Sequence, residues 1–137
     1  MNDTQLEINK ELVRRFNHEL ISRGNRAAFP DIVARDFIDH SAPPANSSAD
    51  SLSYFIFDLL RVAIPDINVE IQDMIAEGEK VTTRKVFRGT FAADLLGLTA
   101  TNKSIAIQVI DIFVVRDGRL IEHWGMNNFP QIAQAQH

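Results

Sequence analysis

The chain has no cysteine, which excludes disulfides, thiolate nucleophiles and Cys-ligated metals and accords with a reducing compartment. It also has no run of Lys or Arg. Its 14 basic residues are outweighed by 18 acidic ones, for a net charge of -4, so the electrostatic footprint of a nucleic-acid or anionic-membrane binder is missing. No apolar stretch approaches the ~20 residues of a membrane span, and the N-terminal MNDTQLEINK lacks the apolar segment of a secretory leader. The expectation is a soluble, cytoplasmic protein with neither nucleic acid nor membrane as partner. Also lacking are G-x-S-x-G, G-x(4)-G-K-[ST], His-x-x-x-His and Glu-x-x-His. Without them there is no sequence signal for a nucleophile elbow, a phosphate loop or a helical metal pair, and no metal or cofactor is expected.

What is present is ordinary for one globular domain over residues 1–137: 45% hydrophobic and 23% charged residues. From Asp3 or Thr4, the latter spaced with Glu7 as a capping box, Leu6, Val13, Phe16 and Leu20 form an apolar stripe at helical spacing, and Gly24 fits its stop. Arg26 to Ala34 reads as a short second helix with Pro30 in its first turn. Asp36 to His40 leads into the turn-rich SAPPANSSADS. A third helix is expected from near Ser51 to Ala63, before Pro65. Strand periodicity then takes over: Ile67 to Ala76 alternates, Glu77-Gly78-Glu79 is a turn, and Lys80 to Phe91 is the next strand. Helices followed by antiparallel strands mean α+β, with three helices packed on one face of a strongly curved sheet. The segment FAADLLGLTATNK, Phe91 to Lys103, is longer than a hairpin needs. It suits either a rim over a pocket or a self-packed or dimer-contacting loop.

The chain is organised around Ser104 to Asn127, two strands joined at Asp117-Gly118. Ser104 to Val115 is apolar at nearly every position, so both faces should be covered. Within it lies one carboxylate, Asp111, which in such a place needs a cation, hydrogen-bond donors or a raised pKa. The turn decides what lies opposite. A two-residue type I′ turn pairs Val115 with Leu120 and puts Asp111 across from Trp124; a three-residue bulged turn puts it across from His123. The residues permit both registers.

Taken together, DFIDHSAP and the segment from Arg84 to Gly125, with the ordered pieces G-T-x(5)-L-G, I-D-I-F and D-G-R-x(2)-E-H-W, resemble the SnoaL-like polyketide cyclases of the nuclear transport factor 2-like superfamily. The resemblance spans nearly the whole chain. It implies a conical α+β half-barrel around an apolar cavity, dimerisation through the sheet, and cofactor-free acid/base chemistry on a small apolar carbonyl compound. The family's acid/base Asp falls on Gly125, its pocket histidine on Asp111, and its pocket Asn on Asp39, beside His40. The bulged register is the one that puts Gly125 and Val109 on the face where the family keeps its pocket.

Two functions follow. In the first, Asp111 and His123 are an acid/base pair in an aldol-type cyclisation, isomerisation or dehydration, with Arg84 as counter-ion and Asp39, His40, Trp124 and Asn127 as substrate contacts. In this reading Lys85 and Arg88 are solvated. In the second, the charged residues form a structural network in a non-catalytic ligand-binding or dimerisation module. Whether Asp111, His123 and Arg84 face an open cavity separates the two.

Overall fold

Strand pairing sets the frame. The computed structural model describes residues 2–137, and its centre is one five-stranded sheet in the order β1-β5-β4-β3-β2. β2 (Asn68–Glu77), β3 (Lys80–Thr90), β4 (Ser104–Arg116) and β5 (Arg119–Asn127) form the expected antiparallel meander. Gly78 and the Asp117-Gly118 turn take positive φ at its tips. The sheet bends where the ladders slip a residue, between Ile71 and Asp73 on β2 and beside Val114 and Val115 on β4.

Helices cover one face. α1 (Asp3–Arg15) is capped by Asn2, whose side chain accepts from the Gln5 N–H at 2.9 Å, so the cap lies two residues ahead of the expected Thr4 box. α1 continues through a widened π turn over Phe16–Ser22 and stops at Gly24, with φ at +67°. α3 (Ala49–Tyr54) starts from Ser48, passes through a second π turn at Phe55–Leu60 and ends in α4 (Arg61–Ala63) before Pro65.

The expected second helix over Arg26 to Ala34 is cut short. A single turn at Arg26–Ala28 leads to α2 (Phe29–Ile32), with Pro30 in its first turn as anticipated, and the chain then extends into β1 (Val33–Asp39). β1 pairs with β5 in parallel, which overrides local helix preference through Val33, Phe37 and Ile38. The sheet is therefore mixed, with a fifth strand added to the four expected. A C-terminal helix, α5 (Phe129–Ala135), was not foreseen either.

Between helices and sheet lies one apolar core in which Val13, Leu20, Ile32, Val81, Phe91 and Leu120 are fully buried. At about 1.5–3 kcal/mol per buried large side chain, it is the main stabilising term. The Phe91 to Lys103 segment proves to be self-packed. Its Leu95 is buried, and its far end is held by Gln136, which accepts from Lys103 Nζ at 2.8 Å and donates to the Ser104 carbonyl at 2.8 Å. No helix among the described residues is long and apolar enough to cross a membrane.

Candidate functional site

Strand parity determines which side chains meet inside. Along β4 the odd residues from Ile105 to Val115 point at the helices, and Asp111 is among them, only 3% exposed. β3 aligns Thr83 with Asp111 and Lys85 with Val109. Val81, Thr83, Lys85 and Phe87 therefore share the inner face, while Arg84 points away.

The hairpin combines both anticipated devices and follows neither anticipated register. Asp117 and Gly118 make a two-residue turn, with φ of +53° and +74°, and Val115 pairs with Leu120. Immediately after it Ile121 is an extra residue, so Val114 pairs with Glu122, Phe113 with His123 and Asp111 with Gly125. Asp111 thus faces neither Trp124 nor His123 directly. His123 nevertheless shares its face and reaches it diagonally, Nε2 to Oδ1 at 2.7 Å. Gly125 makes this contact possible, because a Cβ there would lie 2.7 Å from His123 Cε1 and 2.8 Å from Asp111 Oδ1.

From this pair a row of charges extends both ways. Toward the rim, His123 Nδ1 lies 2.9 Å from Asp39 Oδ1, and Asp39 sits opposite His123 in the parallel β1–β5 ladder. The same oxygen accepts from the Ser41 N–H at 3.0 Å, and the Ser41 hydroxyl accepts from the Gly125 N–H at 2.7 Å. Toward the centre, Lys85 Nζ is in direct ion-pair contact with Asp111 Oδ2 and donates to Asn17 Oδ1 at 2.6 Å. The π turn that begins at Phe16 brings Asn17 inward, where its amide donates to the Val13 carbonyl at 2.9 Å. The ammonium of Lys85 also lies 5.6 Å from the Phe16 ring centre and 5.3 Å from that of Phe87.

These contacts fix the charges. Burial alone would raise the Asp111 pKa, but the Lys85 ammonium and the His123 bond outweigh it and hold the carboxyl down at about 2. Burial alone would lower the His123 pKa; the bonds to Asp111 and Asp39 overcome it and lift the ring to about 9. Asp39 is likewise held below its ordinary value, with His123 outweighing burial. At neutral pH the row is carboxylate, imidazolium, carboxylate, ammonium, with no net charge. Its inner members are sealed; the His123 and Asp39 side chains, at 16% and 18% exposure, are the end that solvent touches.

Arg84 does not reach Asp111. It lies on the outer face in an exposed pair with Asp73 at 2.6 Å, and Lys85, expected to be solvated, is the buried counter-ion instead. Arg88 does remain outside, paired with Glu70 at 2.8 Å. Two further expected contacts also lie outside: His40 stacks on Trp124 at 4.5 Å and meets Glu122 at 2.9 Å. Asn127 has the inner parity of His123 and Gly125, and its Oδ1 accepts from the Phe129 N–H at 3.0 Å. Val81 and Phe87 flank Lys85 at inward spacing, a signal in the sequence that selects Lys85 over Arg84. Nothing comparable marks Asn17, which depends on the π turn. Two surface depressions, of about 740 and 440 Å³, lie on the outer side of the sheet.

The family model described as SnoaL-like polyketide cyclase matches residues 11–135. Among solved structures, a candidate polyketide cyclase from Bacillus cereus ATCC 10987 is 26% identical with a TM-score of 0.82, covering 99% of this chain and 85% of that one. TsrD from Streptomyces laurentii is 18% identical with a TM-score of 0.85, covering 99% and 97%. A candidate SnoaL-like polyketide cyclase from Jannaschia sp. CCS1 is 19% identical with a TM-score of 0.85, covering 98% and 95%. The last two show likeness of fold. No curated protein matches the chain.

Proposed function

Since the chain belongs to the SnoaL-like polyketide cyclase family, we propose that it carries out cofactor-free acid/base chemistry on a small, uncharged carbonyl compound, with Asp39 and His123 as its working pair. The observation that carries this reading is the row running from sealed Lys85 and Asp111 to part-exposed His123 and Asp39. Asp111 is too deep to touch a substrate, so its place here is behind His123 as a positioning residue, not as the base.

Asp39 uses Oδ1 for His123 and Ser41, which leaves Oδ2 to take a proton from an acidic C–H beside the carbonyl. The electron pair stays on the substrate as an enolate. Returning the proton to a different carbon gives isomerisation; attack of the enolate carbon on a second carbonyl gives aldol closure. His123 stays protonated beside Asp39 and offsets the charge of the resting base.

Deuterium uptake from D2O by a panel of uncharged 1,3-dicarbonyl compounds tests this directly. Catalysed exchange is expected in the native protein and at least a 100-fold loss in Asp39→Asn. Native protein that exchanges no faster than buffer contradicts the enzymatic reading.

A second reading has its own observation. Gly125 stands where the resemblance puts the acid/base Asp, and both ring nitrogens of His123 are already engaged. That arrangement suits a structural network in a ligand-binding module, and it predicts no exchange at all.

We further propose that the chain forms a homodimer through the outer face of the sheet, where Ile75, Ile110 and Met126 are 68%, 55% and 81% exposed. The interface should exceed ~1,000 Å² of total buried area. Sedimentation should give a dimer at micromolar concentration that Ile110→Asp converts to monomer; a native monomer counts against it.

A further inference from the structure

We infer that Lys85, oriented by Asn17, is a second positioning residue of this site, behind Asp111: its ammonium, set against Asp111 Oδ2, keeps Asp111 a carboxylate and so fixes His123 as a hydrogen-bond donor at both ring nitrogens. Which groups can donate decides the direction of each contact. An ammonium has three protons and accepts nothing, so Lys85 donates to Asn17 Oδ1, and its charge lies in direct ion-pair contact with Asp111 Oδ2. With the Lys85 cation set against Oδ2 and both groups buried, a protonated Asp111 would leave the ammonium without a counter-charge, so the carboxyl stays ionised. The 2.7 Å contact at Oδ1 must then be donated by His123 Nε2. On the far side of the ring, Asp39 Oδ1 already accepts from the Ser41 N–H, and the 2.9 Å contact is donated by Nδ1.

The charged groups facing this ring are Asp111 from β4 and Asp39 from β1, with Lys85 from β3 behind Asp111; its other close neighbour is the Phe113 ring at 4.7 Å. Asn17 acts one step further out. Its amide donates to the Val13 carbonyl, which turns its oxygen toward Lys85. The whole sequence of donors starts from a lysine that is 2% exposed and ends at Asp39.

This assignment rests on the proposed acid/base reading for its purpose, but its test does not need turnover. The carboxyl carbon of Asp111 is followed by 13C NMR through an acid titration of native protein and of Lys85→Met, a substitution close in volume that carries no charge. In native protein Asp111 should stay ionised down to about pH 2. In Lys85→Met its midpoint should rise by at least two pH units, and the ring nitrogens of His123 should report the same transition. A midpoint unchanged in Lys85→Met assigns the control of Asp111 to His123 alone and overturns the inference.

Should Lys85→Met not fold, the pair Lys85→Met with Asp111→Asn decides, because it removes both charges together. Recovery of the fold supports a lysine whose role is to keep Asp111 charged. Failure of both variants makes Lys85 a packing element and overturns it. Absence of deuterium exchange in native protein would end the enzymatic reading while leaving the titration result intact.

Discussion

The two faces of the sheet use the same kinds of residue for opposite purposes. Outside, Arg84 pairs with Asp73 and Arg88 with Glu70, in water and over half or nearly half exposed. Inside, one residue along from Arg84, Lys85 pairs with Asp111 at almost no exposure. Exposed pairs gain about 0–1 kcal/mol, since water screens them and two long side chains lose freedom. The inner pair also stabilises little against an apolar replacement of both residues, because both charges were taken out of water. What differs is the penalty for breaking it. An outer partner returns to solvent; an inner one is left charged and unsolvated.

The largest expected effect is therefore that of Asp111→Ala, which leaves Lys85 and His123 facing each other's positive charge without the carboxylate between them. It should cost about 3–5 kcal/mol in urea unfolding. Asp73→Ala on the outer face should cost less than about 0.5 kcal/mol. Similar losses at the two sites would mean that the inner row is better hydrated than its burial indicates.

Next in size is Gly125→Ala. The new methyl would meet the His123 ring and Asp111 at 2.7–2.8 Å, so the imidazole must turn away or the strand must shift, at about 1–3 kcal/mol. The readout that sharpens this is the His123 titration, which should fall toward its ordinary value as the bond to Asp111 is lost. A variant with unchanged stability and an unchanged His123 would show that the glycine is not needed for the contact.

Smaller, and opposite in sign, is Thr83→Val. The Thr83 hydroxyl is fully buried with no hydrogen-bond partner among the described residues, and valine matches its shape without the desolvated oxygen. The substitution should stabilise by about 1 kcal/mol. A loss of similar size would show the hydroxyl to be engaged with the row beside it.

Much of this architecture was legible because it depends on period and turn chemistry. The alternation from Ile67, the glycine at position 78 and the apolar run from Ser104 set the meander, and Asp111 within that run pointed to the buried row of charges. β1 was not legible: Val33 to Asp39 is extended because β5 offers it a partner, and that partner lies some 80 positions away. The register at Asp111 failed for a related reason. The turn residues allow a two-residue loop and a bulged one alike, and the family resemblance favours the bulged one; the loop has two residues, and the bulge at Ile121 is a property of the curved sheet that carries no glycine to announce it. Arg84 was preferred to Lys85 on residue type, where the parity of Val81 and Phe87 should have decided. His123 beside Asp111 survived the wrong register because the diagonal on one face is as close as the direct neighbour once Gly125 supplies no side chain.

The pH dependence of the row has a definite sign. The His123 pKa is lifted from 6.5 to about 9 in the fold, so its contribution to stability is complete below about pH 6.5 and disappears as the pH rises toward 9. The Asp111 pKa is depressed from 3.8 to about 2, so its contribution is complete above about pH 4 and disappears as the pH falls toward 2. Stability should form a plateau between these limits, and any activity that needs an ionised Asp39 beside a protonated His123 should decline above pH 9. The most direct test of the account is the ring 15N spectrum of His123 at pH 7.5, assigned by its loss in His123→Gln. Both nitrogens should be protonated, with the transition to neutral imidazole centred near pH 9. A single neutral tautomer at pH 7.5, with one nitrogen bare, would contradict the row of alternating charges on which the account stands.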